Sequence, residues 1–110
     1  MSFMTQSIFP AIEAGDLRID PRTRDVSVGT HPIDLTTKEF DLLYFLARHP
    51  GQVFTRAQLM DQVWGYDFVG DASTVTVHVR RVREKIEPKP AEPRYLATVW
   101  GVGYRFEKDP

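Results

Sequence analysis

Ser73-Thr74-Val75-Thr76-Val77-His78-Val79-Arg80-Arg81-Val82-Arg83-Glu84-Lys85-Ile86-Glu87 is the stretch on which the fold turns. At about 100° per residue, Val75, Val79, Val82 and Ile86 fall on one narrow stripe, the pattern of a helix that buries one side. Pro88 and Pro90 forbid its continuation. The remaining arc holds Thr76, Val77, Arg80, Arg81, Arg83 and Glu84. Val77 is apolar, yet it stands nearly opposite the buried stripe, with Arg80 and Arg81 beside it.

Upstream, Thr55-Arg56-Ala57-Gln58 is a capping box with Phe54 and Leu59 as its staple. It opens a second helix whose apolar side carries Leu59, Met60, Val63 and Trp64 and which Gly65 ends. Tyr66 to Ala72 is a loop. Thr36-Thr37-Lys38-Glu39 is an earlier copy of the same device, stapled by Leu35 and Phe40. Phe40, Leu43, Leu46 and Ala47 follow at helical spacing until Pro50-Gly51, and Val53-Phe54 reads as a strand fragment. Earlier still, Leu17/Ile19, Val26/Val28 and Ile33/Leu35 alternate with polar residues across turn signals at Asp20-Pro21 and Gly29-Thr30. That pattern predicts three short antiparallel strands. Met1 to Gly15 shows no period and reads as linker or leader. The expected organisation is a leader over 1–15, one domain over 16–107 and a tail over 108–110. Downstream, Lys89 to Pro93 is a proline-rich connector. Tyr95 to Trp100 and Tyr104 to Phe106 then alternate around Gly101-Val102-Gly103, a β-hairpin pattern.

The chain has 110 residues, 42% of them hydrophobic, and no cysteine. That suits one α+β domain with its own core and excludes a disulfide framework, thiolate zinc sites and cysteine nucleophiles. The longest apolar run, Leu42 to Ala47, is too short for a membrane span, and no signal-peptide pattern opens the chain. The expectation is a cytoplasmic domain with no membrane association. The formal net charge of −1 hides an asymmetry. Residues 1–73 hold six Lys/Arg against ten Asp/Glu, whereas residues 74–110 hold eight against five. The basic excess concentrates at Arg80, Arg81, Arg83 and Lys85.

An exposed helical arc of this kind suits a DNA major groove. Arginine can bond bidentately to guanine, a small apolar side chain can rest on a thymine methyl, and Thr76 can reach a base edge or phosphate. Arg83, nearer the buried stripe, is better placed for a phosphate. The competing reading is a solvated face with ordinary i,i+4 pairs, Arg80 with Glu84 and Arg83 with Glu87. The order helix, loop, helix, hairpin favours the first, because it is the order of a winged helix-turn-helix.

Five motifs extend that reading: Leu-Thr-Thr-Lys-Glu-Phe-Asp-Leu-Leu (35–43), Thr-Arg-Ala-Gln-Leu (55–59), Val-Trp-Gly (63–65), Val-His-Val-Arg-Arg-Val-Arg (77–83) and Gly-Val-Gly-Tyr-Arg-Phe (101–106). In this order and spacing the chain resembles the C-terminal DNA-binding (effector) domain of OmpR/PhoB-type response regulators, from Leu17 to Phe106. The resemblance implies an N-terminal antiparallel sheet of four strands, three helices and a C-terminal wing hairpin. It implies sequence-specific binding of double-stranded DNA in transcriptional regulation, as part of a two-component phosphorelay. Thr76, Val77, Arg80 and Arg81 would face bases. Trp64, Ser73, His78, Arg83, Thr98, Trp100 and Tyr104 would lie at the DNA backbone or in the wing. The loop Tyr66, Asp67, Phe68, Val69, Gly70 and Asp71 would contact RNA polymerase. A receiver domain, absent from this chain, would control pairing of two copies on direct-repeat half-sites, and the isolated domain would be monomeric off DNA.

Two positions depart from the pattern. Many relatives carry arginine where this chain has Trp100 and Ser73. An indole cannot supply the charge that a narrow minor groove attracts, and Ser73 removes one phosphate contact.

Other chemistry finds little support. His31, His49 and His78 lack the spacing of zinc ligands, and Ser27 and Ser73 have no base nearby in sequence. Gly101-Val102-Gly103 precedes no helix that could hold a phosphate. Neither an enzyme, a cofactor nor a metal is expected. The alternative function is a winged-helix module that docks a protein and not DNA, using Asp67, Asp71 and the acidic first half.

Overall fold

A computed structural model describes residues 9–110. Short alternating segments separated by tight turns build the first third of the chain. β1 (Ile12–Ala14), β2 (Leu17–Asp20), β3 (Asp25–Val28) and β4 (His31–Ile33) form an antiparallel meander in that order. Ile12 pairs with Ile19, Ile19 with Val26, and Val26 with Ile33, so an aliphatic row crosses all four strands on one face of the sheet. Leu17, Ile19 and Val26 are buried on that face. The sequence pattern predicts three strands here, and the structure adds β1 inside the stretch read as leader. A three-residue edge strand is too short to display a period, and pairing with β2 alone defines it. The domain therefore starts earlier than residue 16; Met1 to Ile8, the rest of that stretch, lie outside the described residues.

α1 (Thr37–Ala47) starts as its capping box dictates. The Thr36 hydroxyl accepts from Glu39 N–H at 3.3 Å, and a Glu39 carboxylate oxygen accepts from Thr36 N–H at 2.9 Å. After β5 (Phe54–Thr55), a second capping box opens α2 (Arg56–Leu59). The Thr55 hydroxyl accepts from Gln58 N–H at 3.0 Å, and the Gln58 side-chain oxygen accepts from Thr55 N–H at 2.8 Å. This helix then widens to a π-helical turn over Met60–Trp64, closed by Gly65 N–H on the Met60 carbonyl. Gly65 sits at φ 94°, which a side chain would resist. α3 (Ser73–Ile86) lays Val75, Val79, Val82 and Ile86 into the core, as its periodicity requires.

β6 (Leu96–Val99) and β7 (Gly103–Phe106) form the terminal hairpin, and β5 pairs with β7 to complete a second, three-stranded sheet. The two backbones approach closely at Gly103: a Cβ there would lie 1.9 Å from the Phe54 carbonyl oxygen. Leu42, Leu43 and Leu46 of α1, the α3 stripe, and Tyr95, Leu96 and Phe106 of the hairpin share one core.

An ion pair between α1 and α3 borders that core. Glu39 is almost fully buried, and Lys85 Nζ donates to its carboxylate at 2.6 Å. Burial pushes the Glu39 carboxyl up, but Lys85 and Thr36 outweigh it and hold the group below its ordinary range. The carboxylate that completes the α1 capping box thus also links α1 to α3. Among the described residues, no helix is long and apolar enough to cross a membrane.

Candidate nucleic-acid interface

α3 begins two residues after Asp71, whose side chain bonds the first residue of the helix. A carboxylate oxygen of Asp71 accepts the Ser73 backbone N–H at 3.0 Å and also the Ser73 hydroxyl. These bonds, the hydroxyl foremost, hold the Asp71 carboxyl below its ordinary value. A negative charge here complements the positive helix end.

Burying the valine stripe forces the opposite arc outward. Thr76, Arg80 and Arg81 are exposed, and Val77 is half-buried beside them. Among the described residues, Arg80 and Glu84 form no ion pair, and neither does Arg81. By contrast, Arg18, Arg22, Arg24, Lys38, Lys85 and Arg105 all pair with carboxylates.

His78 is half-buried and turns toward the second helix. Its Nδ1 donates to the Thr74 carbonyl at 2.8 Å. The ring meets Trp64 edge to face at 5.0 Å. Two residues expected at the DNA backbone are thus neighbours at the end of the π-helical turn.

The last turn of α3 holds the wing. Arg83 and Glu87 stand four residues apart but do not pair with each other; both reach the hairpin. Arg83 Nε donates to the Leu96 carbonyl at 2.9 Å, and its Nη2 donates to the Thr98 hydroxyl at 2.7 Å. The guanidinium also lies 5.7 Å from the centroid of the buried Tyr104 ring. Burial lowers the Arg83 pKa, and Tyr104 and Glu87 partly offset this; the group stays charged. The Glu87 carboxylate is 6% exposed and accepts backbone N–H from Arg94 at 2.6 Å, Tyr95 at 3.1 Å and Leu96 at 2.9 Å. Arg83, Thr98 and Tyr104, all expected at phosphates, therefore bond or pack with one another. Glu87, unremarkable in sequence, closes the proline-rich connector.

An open cleft of about 320 Å³ separates α3 from the wing, with Arg56, Thr76, Thr98 and Trp100 on its walls. Arg56 donates to the Thr76 hydroxyl at 3.4 Å. Sequence reading overlooked Arg56. The available signal was a cation in the first turn of a helix, where the helix dipole disfavours it. Trp100 is 89% exposed at the wing tip. The loop between the second and third helices exposes Tyr66 and Val69, while the Phe68 ring lies 6.3 Å from Trp64.

Residues 30–106 match the family described as "Transcriptional regulatory protein, C terminal". The chain belongs to this family. Within it, the sensory transduction protein RegX3 of Mycolicibacterium smegmatis is 54% identical over 96 residues, covering 87% of this chain and 42% of that protein. The uncharacterized transcriptional regulatory protein YclJ of Bacillus subtilis is 52% identical over 101 residues, covering 89% and 43%. The chain thus spans under half the length of these curated relatives. The fold matches the response regulator DrrB of Thermotoga maritima, an OmpR/PhoB homolog, with a TM-score of 0.83 and 38% identity over 89% of this chain and 44% of that one. It also matches the DNA-binding domain of Klebsiella pneumoniae RstA, solved in complex with the RstA box, with a TM-score of 0.79 and 36% identity over 88% and 96%. This transcriptional-regulator domain is a winged helix-turn-helix: the four-stranded sheet, three helices and hairpin wing are those of the OmpR/PhoB fold.

Proposed function

We propose that this chain binds double-stranded DNA in a sequence-specific manner and regulates transcription as the effector domain of a two-component response regulator. The observation that carries this reading is the outer arc of α3. Arg80 and Arg81 project from a helix whose other face is locked in the core, and among the described residues no carboxylate pairs with them. A solvated face would be expected to use Glu84, one turn away. Cations left free on a rigid helix suit an external anion and base edges.

In this reading Thr76, Arg80 and Arg81 face bases, with Val77 at the margin. Ser73, Trp64, His78 and Arg56 line the backbone path. Arg83 and Tyr104 set the wing and have little freedom left for phosphates. The Tyr66–Asp71 loop would meet RNA polymerase. In a longer protein, a phosphorylated receiver domain would bring two copies onto direct-repeat half-sites about 10 bp apart, raising their effective concentration. The setting would be the bacterial cytoplasm.

Selection of bound duplexes from random-sequence DNA, followed by titration of the winning site, tests this. Arg80→Ala or Arg81→Ala should each cost about 1–3 kcal/mol on that site and relax preference at one base position. A folded domain that retains no duplex at low salt would refute the reading.

A further inference from the structure

A cleft of about 290 Å³ lies between the end of α1 and the second helix, and the DNA-binding reading makes no use of it. Phe45 and His49 of α1 and Phe54 of β5 line it, with ring centroids 4.9, 5.1 and 5.5 Å apart. Phe45 and His49 are half-buried, so ring surface stays open to the cleft. Gln58, Asp61 and Gln62 of the second helix supply its polar lining and are exposed. Gln58 is held by its bond to Thr55 N–H. Asp61 and Gln62 ride on the π-helical turn, a rare geometry found mostly at functional positions. No lining residue is a lysine or arginine, and among the described residues Asp61 pairs with no cation. The cleft that carries Arg56 and Thr76 shares no residue with this one.

A neighbouring cleft of about 420 Å³ shares Phe45 and Gln62 and shows what such a surface holds. There the Arg24 guanidinium lies 4.3 Å from the Phe40 centroid, while its Nη2 donates to the Asp41 carboxylate at 2.9 Å. Arg48 lies 5.1 Å from the Tyr44 centroid and 5.7 Å from that of Phe45. On this side of the domain, rings and a carboxylate together take a guanidinium. The cleft at Asp61 repeats the rings and the carboxylate.

We propose that the cleft lined by Phe45, His49 and Asp61 is a docking site for an arginine side chain of a protein partner. A guanidinium is planar and weakly hydrated, so its face can cover a ring while its N–H groups donate to the Asp61 carboxylate and the Gln62 amide oxygen. The compact, strongly hydrated ammonium of lysine fits such a site less well. Size favours a side chain over a free metabolite. Ligand pockets run from about 300 to 1,000 Å³ and enclose most of their ligand, whereas this cleft is smaller and its polar lining is exposed. No residue assigned to DNA lines it, so a partner can be held while α3 is engaged.

Titration of the full chain with N-acetyl-arginine amide, followed in amide NMR spectra, tests this. Saturable shifts in the millimolar range should centre on His49, Phe54, Asp61 and Gln62. The capped lysine has the charge without the plane, and the capped citrulline has the plane without the charge. Each should bind at least about threefold more weakly. Asp61→Asn and His49→Leu should each lose about two- to fivefold in affinity for the arginine probe, with thermal melts to show that both variants fold. Adding a duplex selected by the domain should leave the shifts in place. Citrulline that binds as well as arginine, unchanged affinity in Asp61→Asn, shifts confined to other surfaces, or displacement of the probe by the duplex would each overturn the proposal. So would free arginine bound more than about tenfold tighter than the capped residue, which assigns the cleft to a metabolite. Amides of the cleft that shift with protein concentration alone would assign it to a second copy of the chain and likewise overturn the proposal. The site is independent of the DNA-binding reading: a domain that ignores every duplex can still take arginine here, and a domain that ignores arginine can still bind DNA.

Discussion

Replacing Glu87 by alanine isolates the joint between α3 and the wing. The carboxylate is 6% exposed and accepts three consecutive backbone N–H groups, from Arg94, Tyr95 and Leu96. A hydrogen bond to a charged group contributes about 1.5–3 kcal/mol, and a buried donor left without a partner costs about 1–3 kcal/mol. The three bonds share one acceptor group and are not additive. Water can also reach the connector end at Arg94, which is exposed. Relief from burying the carboxylate itself offsets part of the loss. The expected net cost is about 3–4 kcal/mol, a drop in melting temperature of about 12–25 °C for a domain of this size. Urea and thermal unfolding by circular dichroism would measure it. Amide hydrogen exchange at residues 94–96 would locate it, because protection there should fall further than in the α3 core. DNA affinity measured below the transition should also decline, since β6 loses its anchor beside Thr98. A loss under about 1 kcal/mol with unchanged exchange at those amides would refute the assignment.

Glu39 makes stability pH-dependent with a definite sign. Its folded pKa lies below the unfolded value, so its contribution is complete above the ordinary carboxylate value and is lost as pH falls from there through the lowered folded pKa. Glu39→Gln should be less stable than wild type at neutral pH, with the gap closing as pH falls below the ordinary carboxylate range; urea midpoints that stay parallel would contradict this. Gly103→Ala should lose about 3 kcal/mol, because the new Cβ meets the Phe54 carbonyl oxygen at 1.9 Å and β5 must move. Chemical denaturation within about 0.5 kcal/mol of wild type would show that the two backbones part easily.

Much of the fold is legible because its signals are local. Both capping boxes work within four residues, and the structure makes the bonds that Thr36, Glu39, Thr55 and Gln58 imply. The valine stripe of α3 has one possible direction, so the exposure of Thr76, Arg80 and Arg81 follows from periodicity. β1 escaped because three residues hold no readable period. The π-helical turn escaped because Met60 to Trp64 carries the same apolar spacing as an ordinary helix. At the interface, sequence spacing assigned Arg83 to a phosphate, offered Glu87 only as a partner for Arg83, and overlooked Arg56. Helical position defines the direction of a side chain but not the partner waiting there.

Caps, stripes and turn residues by themselves determined where the helices and the terminal hairpin begin and which face of each helix is apolar. Tertiary structure alone decided what the polar groups near the core do. It joined Glu39 to Lys85 across 46 positions and Arg83 to Thr98 across 15, and turned Glu87 onto the connector. The physical reason is range. Backbone conformation and amphipathicity act over one or two turns, whereas a buried charge takes whichever donor or acceptor the packing of distant elements brings to it.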